Sequence, residues 1–211
     1  MNAVTRHAPD AMLAAYAAGS LPSPFALVVA AHISLCAECR AALEAHQALG
    51  GVVLEGIGLA DLSSGLKVDV LARLDQPAAP ELHFSRSGIF PGPVMAALKG
   101  QPPRWKSLGL GVRQCILSFD SEGSTRLIYI PPGQEVPGHS HNGMELTLVL
   151  QGSFSDDTGH FGVGDVETAG DELAHTPKAG EGAPCICLAA TDAPLRFTSW
   201  LPQVLQPLFR I

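Results

Sequence analysis

The sequence predicts a two-domain protein, with a small all-α helical bundle followed by an all-β barrel of the jelly-roll type. Up to about residue 76, apolar residues recur at helical spacing between capping residues and glycines. From Trp105 onward the apolar period changes to two, and Gly, Pro and Asp separate short runs. A Pro- and Gly-rich segment, 77–104, lies between them and is typical of a linker. We therefore expect a helical domain over 1–76 and a barrel over 105–211.

Composition narrows the class of protein. The chain is 46% hydrophobic and 16% charged, which is ample for packed cores. Its net charge of −7 argues against direct nucleic-acid binding, which needs a basic face. The longest apolar run, Phe25 to Ala31, is too short to cross a bilayer, and the N-terminus makes a poor signal peptide. Five cysteines in CxxC and CxC pairs indicate metal or redox chemistry in a reducing compartment. These features predict a cytoplasmic protein without a membrane contact.

The N-terminal part contains signals for four helices. Pro9 suits the first helical position, and Ser23 suits an N-cap. The predicted helices are Pro9–Ala18, Ser23 to about Ser34, Cys36 to Gly50 and Gly51 with the option of resuming through Leu54, and a short fourth helix capped by Ser63 or Ser64. Two roles fit the apolar residues of the fourth helix: they cover their own bundle, or they form a docking surface for a partner.

A metal-type spacing, His-x3-Cys-x2-Cys, lies between the second and third helices. Its members are His32, Cys36 and Cys39. Two cysteines three residues apart at a helix start share one face, and the helix N-terminus lowers the pKa of a thiol there. Structural zinc takes four N/S ligands in a tetrahedron, so one more ligand is required. His7, just before the first helix, is a better candidate than His46, which lies seven residues beyond Cys39. The alternative is a pair of buried cysteines beside an unrelated histidine.

The motif resembles that of the zinc-containing anti-sigma domain of bacteria, in which an upstream His precedes His-x3-Cys-x2-Cys. The resemblance implies a zinc-binding helical domain that clamps an extracytoplasmic-function sigma factor. The spacing itself predicts only the metal.

The C-terminal part contains short runs with a period of two, and these predict strands. They are Val112–Phe119, Ser124–Ile130, Met144–Gln151, His160–Val163, Asp165–Ala169 and Cys185–Ala190. Leu201 to Ile211 is an apolar tail that we expect to pack on the barrel.

A second constellation of ligand-type residues lies within this barrel. His139 and His141 are two apart and share a face if they lie on a strand. Glu145 keeps that parity if the strand continues across Asn142 and Gly143, and a later strand adds His175. Three imidazoles and one carboxylate form a site for zinc or another divalent transition metal.

This constellation is similar to the first cupin motif at every defined position, from Gly133 to Gly152. The resemblance covers about Trp105 to Phe197. The second cupin motif is partial: Gly164 and His175 match, whereas Gly170, Glu172 and Ala179 replace the usual Pro, Gly and Asn. An N-terminal zinc motif followed by a cupin domain resembles the ChrR-type anti-sigma factors over the whole chain.

The sequence gives weaker support for a functional role of the other reactive side chains. Cys185 and Cys187 lie two apart on one strand, either as a redox or sensor pair or as small buried hydrophobes. Cys115 is expected in the core. The acidic residues outside these motifs are expected in solvated turns; they are Asp156, Asp157, Asp171, Glu172 and Glu181.

The resemblance implies a regulator and not an enzyme: an anti-sigma factor that inhibits a group IV (extracytoplasmic-function) sigma factor through its N-terminal domain. It further implies that the cupin domain releases the sigma factor on sensing singlet oxygen or related oxidative damage. The alternative is a metal-dependent cupin enzyme, of dioxygenase or isomerase type, with a zinc-binding accessory domain. A zinc-finger DNA binder is disfavoured by the acidic charge.

Overall fold

The computed structural model of the chain describes residues 3–74, 76, 83–141, 143–170, 175–193 and 195–197. Within these residues the helices are α1 (Asp10–Ala17), α2 (Ser23–Ile33), α3 (Ala37–Glu55), α4 (Leu66–Leu74) and α5 (Gly92–Ala97). The strands are β1 (Lys106–Gly109), β2 (Val112–Asp120), β3 (Gly123–Ile130), β4 (His139–His141), β5 (Glu145–Gln151), β6 (Phe154–Asp156), β7 (Gly159–Phe161), β8 (Val166–Ala169), β9 (Lys178–Ala179), β10 (Cys185–Thr191) and β11 (Leu195–Phe197). The predicted order of helices followed by strands is confirmed.

The starts of the helices differ from the prediction. Pro9 is the N-cap of α1 and not its first residue. Ser23 lies inside α2, because Pro22 takes the cap position and the Ser23 N–H donates to a carboxylate oxygen of Glu122 at 3.0 Å. Cys36 is the N-cap of α3. That helix continues through Gly50 and Gly51 to Glu55, because a glycine in an exposed helix costs only about 1 kcal/mol.

The strands form antiparallel sheets of a cupin-like barrel. The largest sheet has the order β1-β2-β3-β10-β5-β8, and the others are β7-β6-β9 and β11-β4. Along β10, Cys185 is opposite Ile130 on β3, and Leu188 is opposite both Leu127 on β3 and Leu148 on β5. The sequence missed β1, β6, β9 and β11, which have only two to four residues each and are too short to show a period.

The condition that would give Glu145 the parity of His139 and His141, one strand continuing from His139 to Glu145, is not met. β4 pairs with β11, whereas β5 begins at Glu145 in the large sheet. The chain bends between them at Gly143, and the Met144 N–H donates to Asp192 Oδ1 at 2.8 Å. Glu145 therefore reaches the barrel from a different strand, and the parity argument does not apply to it.

The helices and the barrel share one hydrophobic core. Val28 and Val29 of α2 are fully buried and belong to the same cluster as Leu127, Leu146 and Leu188 of the large sheet. The segment predicted as a linker also contributes, because it contains α5, whose Val94 is fully buried in this cluster. The domain limits 1–76 and 105–211 stay a prediction. Residues 77–82 of the linker and the tail from Leu201 to Ile211 lie outside the described residues.

In the part of the chain that the structure describes, no helix by itself has the length and apolar character to span a membrane. Only α2 and α3 taken together meet that test, as a pair bent by 119°.

Candidate metal centres and docking surface

The structure brings the four predicted N-terminal ligands together. Ligand atoms of His7, His32, Cys36 and Cys39 all lie within 4.8 Å of one another. His7 Nδ1 is 3.4 Å from the Cys36 sulfur and 3.6 Å from the Cys39 sulfur. Tetrahedral zinc, with bonds of about 2.3 Å to sulfur and about 2.0 Å to nitrogen, places such atoms about 3.5 Å apart. The cluster therefore has the dimensions of a four-coordinate zinc site, and it could hold a metal ion.

Each histidine in this cluster presents one defined nitrogen. His32 Nδ1 lies 3.0 Å from the carbonyl oxygen of Gly164; a carbonyl only accepts, so Nδ1 carries the hydrogen. The other nitrogen, Nε2, is buried and has no hydrogen-bond partner. In His7 the roles are reversed, because Nε2 is 3.3 Å from Glu38 and Nδ1 is directed at the thiols. A buried nitrogen without a partner, next to two thiols, fits a metal ligand.

Burial controls the protonation of this cluster. It lowers the pKa of His32, which keeps the imidazole neutral as a ligand requires. Burial also raises the pKa of Cys39 to about 11, although a backbone hydrogen bond with Ala8 acts in the opposite direction. The expectation of a thiol pKa lowered by the helix N-terminus does not hold for Cys39, whose pKa is raised chiefly by burial. A cation would be needed to hold Cys39 as a thiolate near neutral pH.

His46, the weaker candidate for the fourth ligand, lies elsewhere. Its Nε2 is 2.9 Å from Asp10 Oδ1, which ties the middle of α3 to the start of α1. It is not part of the cluster of four donors.

The predicted barrel site is described in part. The side chains of His139 and His141 lie outside the described residues, although their backbone forms β4. Glu145 and His175 are both buried, with 8% and 3% of their surface exposed. Glu145 Oε1 accepts a 2.7 Å hydrogen bond from the Thr147 hydroxyl.

The sequence analysis did not identify the two carboxylates next to His175 as part of a site. His175 Nδ1 is 2.8 Å from Asp156 Oδ2 and 3.4 Å from Glu167 Oε1. These three residues form a second group of donors within 4.8 Å of one another. The expectation that Asp156 occupies a solvated turn is wrong, since its side chain is 0% exposed. Asp156 is the last residue of β6, and its Oδ1 also accepts the backbone N–H groups of Thr158 and Gly159 in the turn to β7.

The electrostatics of this trio favour a positive charge on His175. Burial raises the pKa of Glu167 to about 7. Burial opposes the charged form of His175, but hydrogen bonds to Glu167 and Asp156 outweigh it and raise the His175 pKa to about 9. Burial also opposes the charged form of Asp156, yet its hydrogen bonds to Glu167, Thr158 and His175 hold its pKa well below the usual range. Histidines that bind metals commonly have one ring nitrogen bonded to a carboxylate in this way.

The other cysteines are buried. Cys185 and Cys187 point to the same side of β10, as predicted, with their sulfur atoms 3.5 Å apart as free thiols. The hydrogen bond to Cys185, together with burial, raises the pKa of Cys187 well above its usual value, so this thiol is protonated and not activated. Both belong to the second core cluster. Cys115 is in the main core, as expected.

A long apolar surface is left uncovered on the helical part. We call residues 49–74 the apolar arm. Among the described residues, sixteen large apolar side chains are exposed, and twelve of them lie in the arm: Leu49, Val52, Val53, Leu54, Ile57, Leu59, Leu62, Leu66, Val68, Val70, Leu71 and Leu74. None of the nine residues of α4 is buried. Of the two roles that fitted the fourth helix, covering its own bundle is therefore ruled out. So large an exposed apolar surface is typical of a docking site.

Comparisons with known proteins agree with this geometry. Residues 95–193 match the ChrR cupin-like domain family. Over 211 residues the chain is 50% identical to the anti-sigma-E factor ChrR of Cereibacter sphaeroides, and the match covers 99% of each protein. It is also similar to a chain in the crystal structure of Rhodobacter sphaeroides SigE in complex with the anti-sigma ChrR. That match has a TM-score of 0.79 and 49% identity, and it covers 90% of this chain and 99% of the other.

Proposed function

The chain belongs to the ChrR family of anti-sigma factors, and from this premise we propose that it binds and inhibits a group IV (extracytoplasmic-function) sigma factor through its helical part. The family resemblance stated from the sequence is thereby confirmed. Membership in a family of regulators also favours this function over the alternative of a metal-dependent cupin enzyme. A protein that inhibits a sigma factor acts in the cytoplasm, because transcription starts there.

The observation that carries this proposal is the apolar arm. An exposed stretch with twelve large apolar side chains is unfavourable in water unless a partner covers it. α3 and α4 supply helical faces of the kind that pack against the helices of another protein. The similar ChrR chain was crystallised with SigE, so the partner in this family is a sigma factor. The acidic balance of the chain suits a partner that carries basic DNA-binding surfaces.

We propose that the helical metal is zinc, held by His7, His32, Cys36 and Cys39. Two sulfurs and two imidazole nitrogens match the ligands of structural zinc, and all but the partly exposed His7 are buried. When bound, a structural zinc supplies folding free energy on the order of 10 kcal/mol. In this protein the four ligands join the segment before α1 to the end of α2 and the start of α3, so the metal would hold together the base from which the arm extends.

We propose that the barrel is the sensor, with a divalent transition metal held by His139, His141, Glu145 and His175. The support is the first cupin motif together with the buried positions of Glu145 and His175. Singlet oxygen or a related oxidative signal is the input that the family resemblance implies. Cys185 and Cys187 stay candidates for a redox role, although both are buried and the Cys187 thiol is protonated.

Copurification of a tagged full chain tests the proposed function. We expect a sigma factor to purify with it and elemental analysis to find zinc. Cys36→Ser removes one ligand and should lower the metal content by one ion per chain and abolish sigma binding. His46→Ala is the matched control, since His46 lies outside the metal cluster and bonds to Asp10. Full sigma binding by a metal-depleted Cys36→Ser protein would contradict a structural role for the metal.

A further inference from the structure

Both histidines of the proposed helical metal site are positioned by one turn of the barrel. Gly164 and Asp165 lie in this turn, between β7 and β8. The Gly164 carbonyl accepts the hydrogen bond from His32 Nδ1 at 3.0 Å, which fixes the ring so that Nε2 faces the thiols. Gly164 has a φ of +94°, and a Cβ there would meet the Val4 side chain at 2.7 Å. Only glycine suits this close approach to the N-terminal segment.

Asp165 holds the segment that leads into His7. Its Oδ1 accepts the backbone N–H of Thr5 at 2.6 Å and that of Arg6 at 2.9 Å, and its Oδ2 accepts the N–H of Gly162 at 2.8 Å. The Val166 N–H donates in turn to the Arg6 carbonyl at 3.0 Å. Asp165 is only 5% exposed, so these charge-assisted bonds are shielded from water. The residue after Arg6 is His7, so its position follows directly from these bonds.

We propose that the barrel turn 162–166 supports the helical metal site from outside the ligand set, with Asp165 and Gly164 acting as positioning residues for His7 and His32. This inference rests on the metal site proposed above. It adds that the barrel influences the rate at which the helical site loses its metal. The two cysteines come from the helical part alone, and the two histidines depend on the barrel. Glu167, two residues after Asp165 on β8, contacts His175 of the barrel site. One short strand thus joins the surroundings of both proposed metal sites.

Metal retention in the cobalt-loaded full chain tests this inference. A cobalt ion bound by two thiolates has a charge-transfer absorption band, and the band's absence in Cys36→Ser would assign it to the helical site. After a chelator is added, the decay of the band gives the rate of metal loss. We expect Asp165→Ala to lose cobalt about tenfold faster than the unmodified chain, the size of effect usual for a residue that orients a metal ligand. Asp165→Asn, whose amide oxygen still accepts N–H bonds but carries no charge, should lie between the two.

Glu122→Ala is the matched control. Glu122 is also a barrel carboxylate that accepts a backbone N–H of the helical part, but it does so at Ser23, at the opposite end of α2 from His32. Its rate of cobalt loss should stay within about twofold of the unmodified chain, far from the roughly tenfold effect expected of a positioning residue. Should Asp165→Ala not fold, as judged by circular dichroism, the rate measured on the folded Asp165→Asn protein decides. Unchanged rates in the folded Asp165 variants would overturn the inference but leave the metal site intact; absence of the band in the unmodified chain would overturn both.

Discussion

At the scale of single residues, the environment of His175 bears on the proposal that a partial cupin motif supplies a metal ligand. Gly170, Glu172 and Ala179 replace the Pro, Gly and Asn of the second motif, and the ring of His175 is held by Asp156 and Glu167. A carboxylate that accepts the Nδ1–H makes Nε2 the coordinating nitrogen and increases its basicity. We infer that these two carboxylates, which belong to no motif, take over part of the positioning.

The first prediction concerns Asp156. We expect Asp156→Asn to weaken metal binding in the barrel about 10- to 100-fold, because the amide is a poorer acceptor for the His175 N–H. The helical metal should be retained. Metal content after dialysis against a graded chelator is the measurement, and Asp157→Asn is the control, since Asp157 is the exposed neighbour in the same hairpin. Equal metal content in the two variants would refute the positioning role.

A second prediction tests whether Asp156 and Glu167 bind the metal themselves or only position His175. If Asp156, Glu167 and His175 themselves held the ion, replacing His139 by Ala would leave the barrel metal in place. We expect the opposite result, loss of about one metal ion per chain from the His139→Ala protein, because the proposed ligands come from the first cupin motif. Elemental analysis of the purified full chain decides between these outcomes.

At the scale of elements, α4 is a helix without a core of its own. It has Leu and Val at exposed positions and no buried residue, so packing against the described part of the chain stabilises it little. Helices of nine residues are marginal in isolation. We infer that α4 gains its stability on binding the sigma factor, which makes it the element whose surface most directly sets affinity.

The prediction at this scale concerns the effect of a charged side chain on the exposed apolar surface of α4. Leu71, 52% exposed, lies in the middle of α4, and Leu71→Glu should weaken sigma binding by about 2 kcal/mol, or about thirtyfold. Glutamate is a good helix former, so the helix itself should tolerate it. Lys67→Glu introduces the same side chain at an exposed polar position of the same helix and should have a smaller effect. Calorimetric titration against the copurified sigma factor measures both; an unchanged affinity for Leu71→Glu would exclude α4 from the interface.

At the scale of the whole molecule, the helices and the barrel fold around one core. α2 lies on the large sheet, and its buried valines belong to the same cluster as the leucines of β3, β5 and β10. The sequence predicted two domains joined by a linker, and that prediction did not include packing of the helices against the barrel. The shared core therefore gives the barrel strands a second physical connection to the proposed helical ligands, through packed side chains, in addition to the turn 162–166.

The whole-molecule prediction is therefore a single main unfolding transition. Circular dichroism of the helices and fluorescence of Trp105 and Trp200 should give coincident denaturant curves for the metal-loaded chain. Leu188→Ala, at a fully buried position on β10, should shift both curves together and cost about 2–5 kcal/mol. Leu110→Ala, at a residue that is 72% exposed, should leave them nearly unchanged. Loss of helix well before the fluorescence change would show that the two parts unfold separately.

The sequence by itself determined the order of helices and strands, the two sets of ligand-type residues and the family. These features are local: the spacing of Cys36 and Cys39 on a helix start, or of His139 and His141 on a strand, follows from backbone periodicity alone. Only the tertiary structure brought His7 to the thiols, placed Gly164 on His32, and set Asp156 against His175. These contacts join residues far apart in the chain, and their energies come from burial and from hydrogen bonds made across the core, which no local pattern records.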